Sequence, residues 1–188
     1  MPQYNGPTLP TAIAASKALP SSSGSEVGIF ANGCFWGTEH MYRKHFKKGL
    51  LDAKVGFIGG AAEDPSYRQV CTGSTGHAEA LRIEFDPSQV SYAELTEFHF
   101  RMHDPTQLNR QGPDTGTQYR TAIFTTTPEQ VDIAKKVMAE VQEAHYPNQK
   151  IATTIEPAGK WWNAEDYHQE YLHNNPGGYE CPSHLLHW

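Results

Sequence analysis

The sequence predicts an α/β-type or α+β sandwich built as one domain. Short apolar runs of strand length alternate along the chain with segments whose apolar residues recur at helical spacing. The chain has 188 residues, of which 38% are hydrophobic and 11% aromatic, and this is enough for one buried core. No internal repeat is visible. One sheet with helices against it accounts for this pattern.

The first predicted elements form a strand, a helix and a second strand. The stretch EVGIFANG, from Glu26, is an apolar run that ends in an Asn-Gly turn and predicts a strand. A helix is expected over residues 34–46, where apolar residues recur at helical spacing and the far end is basic. Residues 50–58 predict a second strand, and residues 59–77, dense in Gly, Ser, Thr and Pro, predict a long loop. Cys34 therefore lies at a strand-to-helix junction.

The rest of the chain continues the alternation. Residues 80–87 alternate between apolar and polar side chains as a third strand, and Ser91 and Glu94 form a capping box before an amphipathic helix over residues 91–103. The remaining predicted elements are a loop over residues 103–117, a strand over 118–126, a helix from Pro128 to about His145, a strand over 152–157 and a last helix over 164–173 capped by Asn163.

Composition separates both ends of the chain from the domain between them. Residues 1–25 are rich in Pro, Ser, Gly and Ala with a single charge at Lys17, and they predict a disordered tail. They contain no arginine, whereas a transit peptide carries several. Residues 26–173 form the expected domain. Residues 174–188 follow a helix stop rich in Asn, Pro and Gly, and they predict a flexible C-terminal tail.

Charge and cysteine content limit the class of protein. A net charge of −6, with 15 Lys and Arg scattered along the chain, argues against a nucleic acid partner. No run approaches the ~18 apolar residues of a membrane span, and the N-terminus lacks the order of a secretory signal. The three cysteines are an odd and sparse set, typical of a reducing compartment. We expect a cytoplasmic monomer that binds neither nucleic acid nor membranes.

The motif NGCFWG makes Cys34 a candidate nucleophile. Backbone N–H groups and the positive end of the following helix favour the thiolate there. Gly33 and Gly37 leave room for a substrate to approach the sulfur, and Phe35 and Trp36 are placed to wall an apolar pocket. The motif is equally compatible with a structural role, in which Cys34 is a small buried core residue and Phe35 and Trp36 only pack against it.

Glu79 is a candidate acid. It shares the parity of Leu81, Ile83 and Phe85, so it lies on the apolar face of its strand. A carboxyl group on that face loses hydration, its pKa rises, and it can hold a proton near neutral pH as a general acid must. If the strand begins at Leu81, or if an arginine pairs with the carboxylate, Glu79 is structural instead.

The other histidines and cysteines leave two alternatives. A metal site is disfavoured because the chain has no CxxC, no HExxH and no compact ligand set. A Cys-His acyl transferase or hydrolase stays open, because His77, His99 or His168 could fold against Cys34. Cys181, in a Gly-rich tail, is placed as a resolving cysteine would be, although an inert exposed thiol is the commoner fate of such a residue.

Four stretches together resemble the A-type peptide methionine sulfoxide reductases, over roughly residues 27–181. They are GCFWGTEHMYRKHF, PSYRQVCTGSTGHAEALRIEFDP, HDPTQLNRQGPDTGTQYRTAIF and AEDYHQEYL. Several long motifs in the right order make this resemblance specific. It implies an α+β fold, a two-layer sandwich with a central mixed sheet flanked by helices and related to a ferredoxin-like plait. It also makes residues 26–173 the catalytic domain.

The resemblance implies a thiol-based mechanism. Cys34 looks like the nucleophile, Glu79 the acid, and Tyr67 and Tyr119 the hydroxyl donors to the sulfoxide oxygen. Attack on the S epimer of methionine sulfoxide, free or in proteins, would leave a sulfenic acid on Cys34. Condensation with Cys181 would give a disulfide that thioredoxin reduces, with no metal or other cofactor.

The resemblance also implies how the substrate is held. Phe35 and Trp36 would hold the substrate methyl group, and Asp114 would organise water or polar groups at the site. Cys71 has no required role in the family and is expected to be structural, although it could compete for the sulfenic acid. A module that recognises sulfoxide or aromatic peptides without catalysis, through Phe35, Trp36 and the TQY loop, is a further alternative.

Overall fold

The computed structural model describes residues 2–9 and 24–188. In chain order its strands are β1 (Glu26–Asn32), β2 (Leu50–Ile58), β3 (Ala78–Phe85), β4 (Arg110–Gln111), β5 (Asp114–Thr115), β6 (Thr121–Thr125), β7 (Thr154–Pro157) and β8 (Trp162–Asn163). Its helices are α1 (Phe35–His45), α2 (Tyr67–Cys71), α3 (Tyr92–Arg101), α4 (Pro128–His145) and α5 (Tyr171–Asn174), with 3₁₀ turns at Thr117–Tyr119 and Asp166–His168.

A mixed sheet lies at the centre of the fold. Six strands follow the order β7-β6-β1-β3-β2-β8, and β4 and β5 pair separately as a small hairpin. The pair β6 and β7 is parallel, and the other pairs are antiparallel. The predicted α+β fold, a central mixed sheet with helices against it, is confirmed.

The strand alternation divides the core between the two faces of the sheet. Phe30 of β1 faces the helices and stacks on Tyr42 of α1, with 5.4 Å between ring centroids. Tyr42 in turn meets the edge of Phe98 from α3 at 4.8 Å. The opposite face carries a smaller cluster, made mostly of alanine and isoleucine: Ile29, Ala31, Ile58, Ala78, Ala80, Ala122 and Phe124. Because β1 pairs with both β3 and β6, its C-terminal end lies between two neighbouring strands and not at an edge of the sheet.

Predicted caps define the starts of α3 and α4. The Ser91 hydroxyl accepts from the Glu94 N–H at 3.0 Å, and the Glu94 carboxylate accepts from the Ser91 N–H at 2.6 Å. Thr127 caps α4, where its hydroxyl accepts from the Gln130 N–H at 3.1 Å. These expected helix starts are confirmed. None of the helices within residues 2–9 and 24–188 combines the length and apolarity needed to cross a membrane.

Two predicted loops contain short elements that the sequence did not reveal. The loop over residues 59–77 includes α2, whose N-terminus is closed by a capping box between Ser66 and Gln69. The loop over residues 103–117 includes the hairpin of β4 and β5. Elements of two to five residues are too short to show a period of apolar residues. Their composition alone therefore predicts a loop.

The predicted last helix over residues 164–173 is wrong. Asn163 belongs to β8 instead of capping a helix, and its side-chain oxygen accepts from the Trp161 indole at 2.7 Å. Gln169 bonds both backbone groups of Val55, with its Oε1 and Nε2 each 2.9 Å from the Val55 nitrogen and oxygen. Glu170 has a φ of 51°, which no α-helix allows. These contacts with β2 replace the helical hydrogen bonds, so the segment forms a 3₁₀ turn followed by α5.

Both ends of the chain contact the domain where they are described. Tyr4 packs on Phe98 at 5.3 Å between ring centroids. The Arg101 guanidinium donates to the carbonyls of Gly6, at 3.3 Å, and of Trp188. Cys181, in the stretch that composition predicted to be flexible, is only 3% exposed. Residues 10–23 of the predicted N-terminal tail lie outside the described residues.

Candidate active site

Cys34 lies at the end of β1, as the junction in the sequence predicts. Gly33 turns the chain with a φ of 92°, a conformation that favours glycine, and Cys34 is the last residue before α1. A Cβ at Gly33 would stand 2.6 Å from the Cβ of Gln111, so any larger residue would push β4 away. The Thr38 N–H and hydroxyl both donate to the Cys34 carbonyl at 3.3 Å. The turn holds the thiol at the foot of the helix.

The Cys34 thiol is more buried than its motif suggested. Only 8% of the residue is exposed, and this burial is the main reason that its pKa is raised well above the ordinary value. A charge on Glu79 raises the pKa further, whereas the N–H groups of Trp36 and Gly37 lower it. The helix start therefore acts as the sequence predicted, but desolvation outweighs it. A neutral Glu79 removes one of the obstacles to thiolate formation.

Glu79 lies on the helix-facing side of β3, as its parity predicted, and only 1% of it is exposed. Its Oε1 accepts a hydrogen bond from the Phe35 N–H at 3.3 Å. Burial raises the pKa of Glu79 to about 8; the Phe35 N–H lowers it, and the charge of Asp114 raises it. Its Oε2 is buried without a hydrogen-bond partner among the described residues. A neutral carboxylic acid thus stands next to the first residue of α1.

The charge of Glu79 acts on both Tyr67 and Tyr119, which come from two different segments of the chain. Burial raises the pKa of Tyr67, and so do a hydrogen bond to Cys71 and the charge of Glu79. Burial also raises the pKa of Tyr119, followed by the charges of Glu79, Cys71, Asp114 and Cys34. Both phenols therefore stay protonated and can donate hydrogen bonds at any physiological pH.

Cys71 lies among these groups, although the sequence predicted a structural cysteine there. It ends α2 and is neither fully buried nor fully exposed. Burial raises the pKa of its thiol, while hydrogen bonds from the hydroxyls of Tyr67 and Tyr119 lower it. Its sulfur is therefore within reach of both phenols.

Asp114 and Cys181 meet at the β4–β5 hairpin. The Tyr179 hydroxyl donates to Asp114 Oδ2 at 3.0 Å. Burial raises the pKa of Asp114, and the hydrogen bonds from Tyr179 and Cys181 lower it. Cys181 donates its thiol to the Gln111 carbonyl at 3.6 Å and is a free thiol, as is Cys34. The sequence predicted a cysteine on a tail that swings freely, whereas here Cys181 is seated against the hairpin.

Aromatic side chains line the other side of the site. Phe35 is 1% exposed and packs on the ring of His168 at 5.2 Å between centroids. Trp36 stacks on Tyr171 at 3.7 Å, and its indole N–H donates to His168 Nδ1 at 2.9 Å. Tyr67 extends this aromatic wall, because its ring centroid lies 4.3 Å from that of His168.

Two of the three histidines considered as partners of Cys34 bind other groups. His168 Nδ1 is occupied by Trp36, and His99 Nδ1 accepts from the Asn32 amide at 2.7 Å. His77 is buried, and neither of its ring nitrogens has a partner among the described residues. No histidine is among the largest influences on the pKa of Cys34. The arrangement that a Cys-His hydrolase requires is absent from these contacts.

Sequence reasoning missed two residues that lie at the site, Tyr171 and Tyr179, and it expected Cys71, which also lies there, to be structural. Tyr171 belongs to the stretch AEDYHQEYL, which carried part of the resemblance, and that stretch was the signal available for it. Tyr179 lies in the predicted flexible tail, where no periodicity points to a position. Their placement depends on long-range packing.

Comparison with known proteins identifies relatives of this site. The family model described as "Peptide methionine sulfoxide reductase" matches residues 26–186. A probable peptide methionine sulfoxide reductase of Schizosaccharomyces pombe is 58% identical over 165 residues, 87% of this chain and 97% of the relative.

Solved structures give the same result. The reduced form of Mxr1 from Saccharomyces cerevisiae is 44% identical, with a TM-score of 0.82 over 86% of this chain and 92% of Mxr1. Mxr1 in complex with Trx2 gives 31% identity and a TM-score of 0.59, over 86% of this chain and 89% of that chain.

Proposed function

The chain belongs to the peptide methionine sulfoxide reductase family, and on this basis we propose how its residues carry out the reaction. It is an oxidoreductase that reduces methionine sulfoxide to methionine in a thioredoxin-dependent reaction. The structure of Mxr1 with Trx2 supports thioredoxin as the reductant here. We propose that the substrate is the S epimer, free or within oxidised proteins, and that no metal or organic cofactor takes part.

The observation that carries the proposal is the buried, protonated carboxyl group beside the thiol. A sulfoxide sulfur becomes electrophilic only when its oxygen is protonated or strongly hydrogen-bonded. Glu79 Oε2 has no partner among the described residues, and the pKa of Glu79 is raised to about 8 by burial. We assign Glu79 as the acid, with Tyr67 and Tyr119 donating hydrogen bonds to the same oxygen.

The proposed reaction transfers one oxygen atom. The Cys34 thiolate attacks the sulfur of the protonated sulfoxide and forms an S–S bond to it. The hydroxyl then moves from the substrate sulfur to the Cys34 sulfur: the S–O bond of the substrate and the new S–S bond break, the S–S electron pair stays on the substrate sulfur, and Cys34 is left as a sulfenic acid. Methionine sulfoxide is reduced by two electrons to methionine, and Cys34 is oxidised by two. The Cys181 thiol then displaces the hydroxyl as water, forming the Cys34–Cys181 disulfide. A thioredoxin dithiol reduces this disulfide and becomes a disulfide itself.

The aromatic wall supports a role in holding the substrate. Trp36 is half-buried and offers an apolar surface suited to the methyl group of the sulfoxide, and Phe35, 1% exposed, supports the wall by packing on His168. The indole of Trp36 is fixed by His168 and Tyr171, so its surface needs no rearrangement on binding. Asp114, bound to Tyr179, is proposed to organise water or polar groups on the opposite side.

The proposal is tested by supplying methionine sulfoxide with and without dithiothreitol. Without reductant we expect one methionine per protein, and with dithiothreitol we expect continued turnover. An acyl transferase would instead form a stable thioester on Cys34 and would show no dependence on a dithiol. Failure to form methionine under either condition would refute the proposed function.

Replacing Cys181 with serine separates the two halves of the cycle. Cys181→Ser should form one methionine at the wild-type rate and then stop, leaving a sulfenic acid that dimedone traps. Thioredoxin should not sustain turnover, because no disulfide forms for it to reduce. The control is dithiothreitol, a small thiol that reacts with the sulfenic acid directly and should restore turnover. Many thioredoxin-driven turnovers in this variant would rule out the resolving role of Cys181.

The raised pKa of Glu79 predicts that stability depends on pH. Its ordinary value is 4.5, and burial raises it to about 8, so the folded state holds a proton that the unfolded state releases in between. The free energy of unfolding should therefore fall as pH rises through this window, and Glu79→Gln should lack this component. The difference between the two proteins is on the order of a few kcal/mol and is measured by urea denaturation from about pH 5 to 8. A difference that stays constant with pH contradicts a proton held by Glu79.

A further inference from the structure

The segment that carries Cys181 is anchored directly to the turn that carries Cys34. Residues 181–184 form a tight turn, in which the His184 N–H donates to the Cys181 carbonyl at 2.9 Å. His184 Nε2 lies 2.6 Å from the carbonyl oxygen of Asn32, two residues before the nucleophile. Since a carbonyl can only accept, Nε2 carries the proton and donates it.

The first turn of α1 contains a hollow that holds the His184 ring. A Cβ at Gly37 would stand 2.0 Å from His184 Nδ1, closer than any two such atoms can approach. A Cβ at Gly33 would stand 3.6 Å from His184 Nε2. The motif predicted that these glycines make room for the substrate. In the structure, the space at Gly37 is filled by the imidazole.

A second contact ties the same two segments together through Gln111. The Gln111 carbonyl accepts from the Cys181 thiol, and the Cβ of Gln111 fills the space over Gly33. The Gln111 side chain is fixed by Asp104, whose N–H and carbonyl it bonds at 3.0 and 2.8 Å. Cys181 is thus held against a rigid edge that also touches the turn of Cys34.

We propose that His184 is the positioning residue that seats Cys181 for its attack on the Cys34 sulfenic acid. The inference rests on the proposed function. The step forms one S–S bond, breaks the S–O bond of the sulfenic acid and releases the hydroxyl as water with the proton of the Cys181 thiol. The sulfenic acid oxidises the thiol, so no external oxidant or reductant is needed. His184 takes no part in the chemistry: its hydrogen bond to Asn32 confines the segment. Confinement raises the effective concentration of the second thiol, which is otherwise joined through a long chain.

Two substitutions at His184 distinguish its hydrogen bond from its bulk. The amide nitrogen of His184→Gln can reach the position of Nε2 and donate to Asn32. His184→Asn places the amide near the position of Nδ1, where the histidine has no partner among the described residues. The matched control is His187→Asn, the same change at an exposed histidine of the same segment. Among the described residues, the His187 ring bonds only within that segment, to the carbonyl of Ser183.

The experiment follows both steps of one turnover after one equivalent of methionine sulfoxide, without reductant. Methionine is quantified by rapid quench, and disulfide formation by the loss of dimedone-reactive sulfenic acid and of free thiols. For His184→Asn we expect disulfide formation about tenfold slower or more, with methionine formation within about twofold of wild type. His184→Gln should recover most of the disulfide rate, and His187→Asn should match wild type.

Three outcomes would overturn the inference. The first is equal disulfide rates in His184→Asn and His184→Gln. The second is a disulfide rate in His184→Asn equal to that of wild type. The third is a loss of methionine formation in His184→Asn as large as the loss of disulfide formation, because His184 would then support the Cys34 turn alone. Failure of the proposed function is recognised separately, since wild-type protein would then form no methionine.

Discussion

A Cys34→Ser variant is expected to form no methionine from methionine sulfoxide. A serine hydroxyl is far less nucleophilic toward sulfur than a thiol, and it cannot accept the oxygen as a sulfenic acid. Removing the nucleophile of an enzyme that forms a covalent intermediate lowers the rate by on the order of 10⁴-fold or more. The measurement is methionine formed per protein in a single turnover.

Serine fits the space of Cys34 with little change in volume, so the fold should be retained, and thermal unfolding checks this. The matched control is Cys181→Ser, the same substitution at the other proposed redox thiol, which should still release one methionine. A Cys34→Ser variant that releases methionine at a rate comparable to wild type would show that the oxygen is transferred elsewhere.

A Glu79→Gln variant is expected to bind substrate normally and to release methionine slowly. Glutamine retains the oxygen that accepts from the Phe35 N–H, but it has no acidic proton to give to the sulfoxide oxygen. Loss of a general acid slows a reaction by about 10² to 10⁴-fold. Single-turnover rates measured over a range of substrate concentrations separate the rate constant from the apparent affinity.

Glu97→Gln is a suitable control for this change. Glu97 is a buried carboxyl, 2% exposed, whose Oε1 accepts from the N–H and hydroxyl of Thr8, and its hydrogen bonds to the described residues include none of the groups of the site. Its substitution should leave the reduction step unchanged. An unaltered single-turnover rate in Glu79→Gln would exclude Glu79 as the acid, whatever the pH dependence of stability.

The parts of the fold that follow from local chemistry were predictable from the sequence. The turn before Cys34 needs a residue that accepts a positive φ, and the glycine at position 33 makes this turn predictable. The strand β3 alternates, so Glu79 had to face the core together with Leu81. The capping box of Ser91 and Glu94 predicted the start of α3. Each of these features is fixed by residues that are neighbours in the chain.

The features that were not predictable depend on partners distant in sequence. The break in the last predicted helix is imposed by hydrogen bonds from Gln169 to Val55, 114 positions away. The helix-favouring pattern around Gln169 contains no sign of that partner. The same holds for the C-terminal segment, which composition describes as flexible, although His184 and Asn32 hydrogen-bond across 152 positions. Local propensity cannot predict a hydrogen bond whose partner lies in a strand far away in the sequence.

The pKa of Cys34 shows how packing can reverse a prediction from a motif. A helix start favours a thiolate, and the N–H groups of Trp36 and Gly37 do lower the pKa. Burial raises the pKa of Cys34 and is the larger effect, and a charge on Glu79 would raise it further. The reaction therefore depends on the pair, because a protonated Glu79 both activates the sulfoxide and spares Cys34 a neighbouring negative charge.

Mass spectrometry of the intact protein, after one equivalent of methionine sulfoxide and without reductant, tests the central claim most directly. The account predicts one methionine released, a protein lighter by two hydrogen atoms, and a digest that joins the peptides of Cys34 and Cys181 while Cys71 stays free. Protein that keeps its original mass and all three titratable thiols, with no methionine formed, would contradict it.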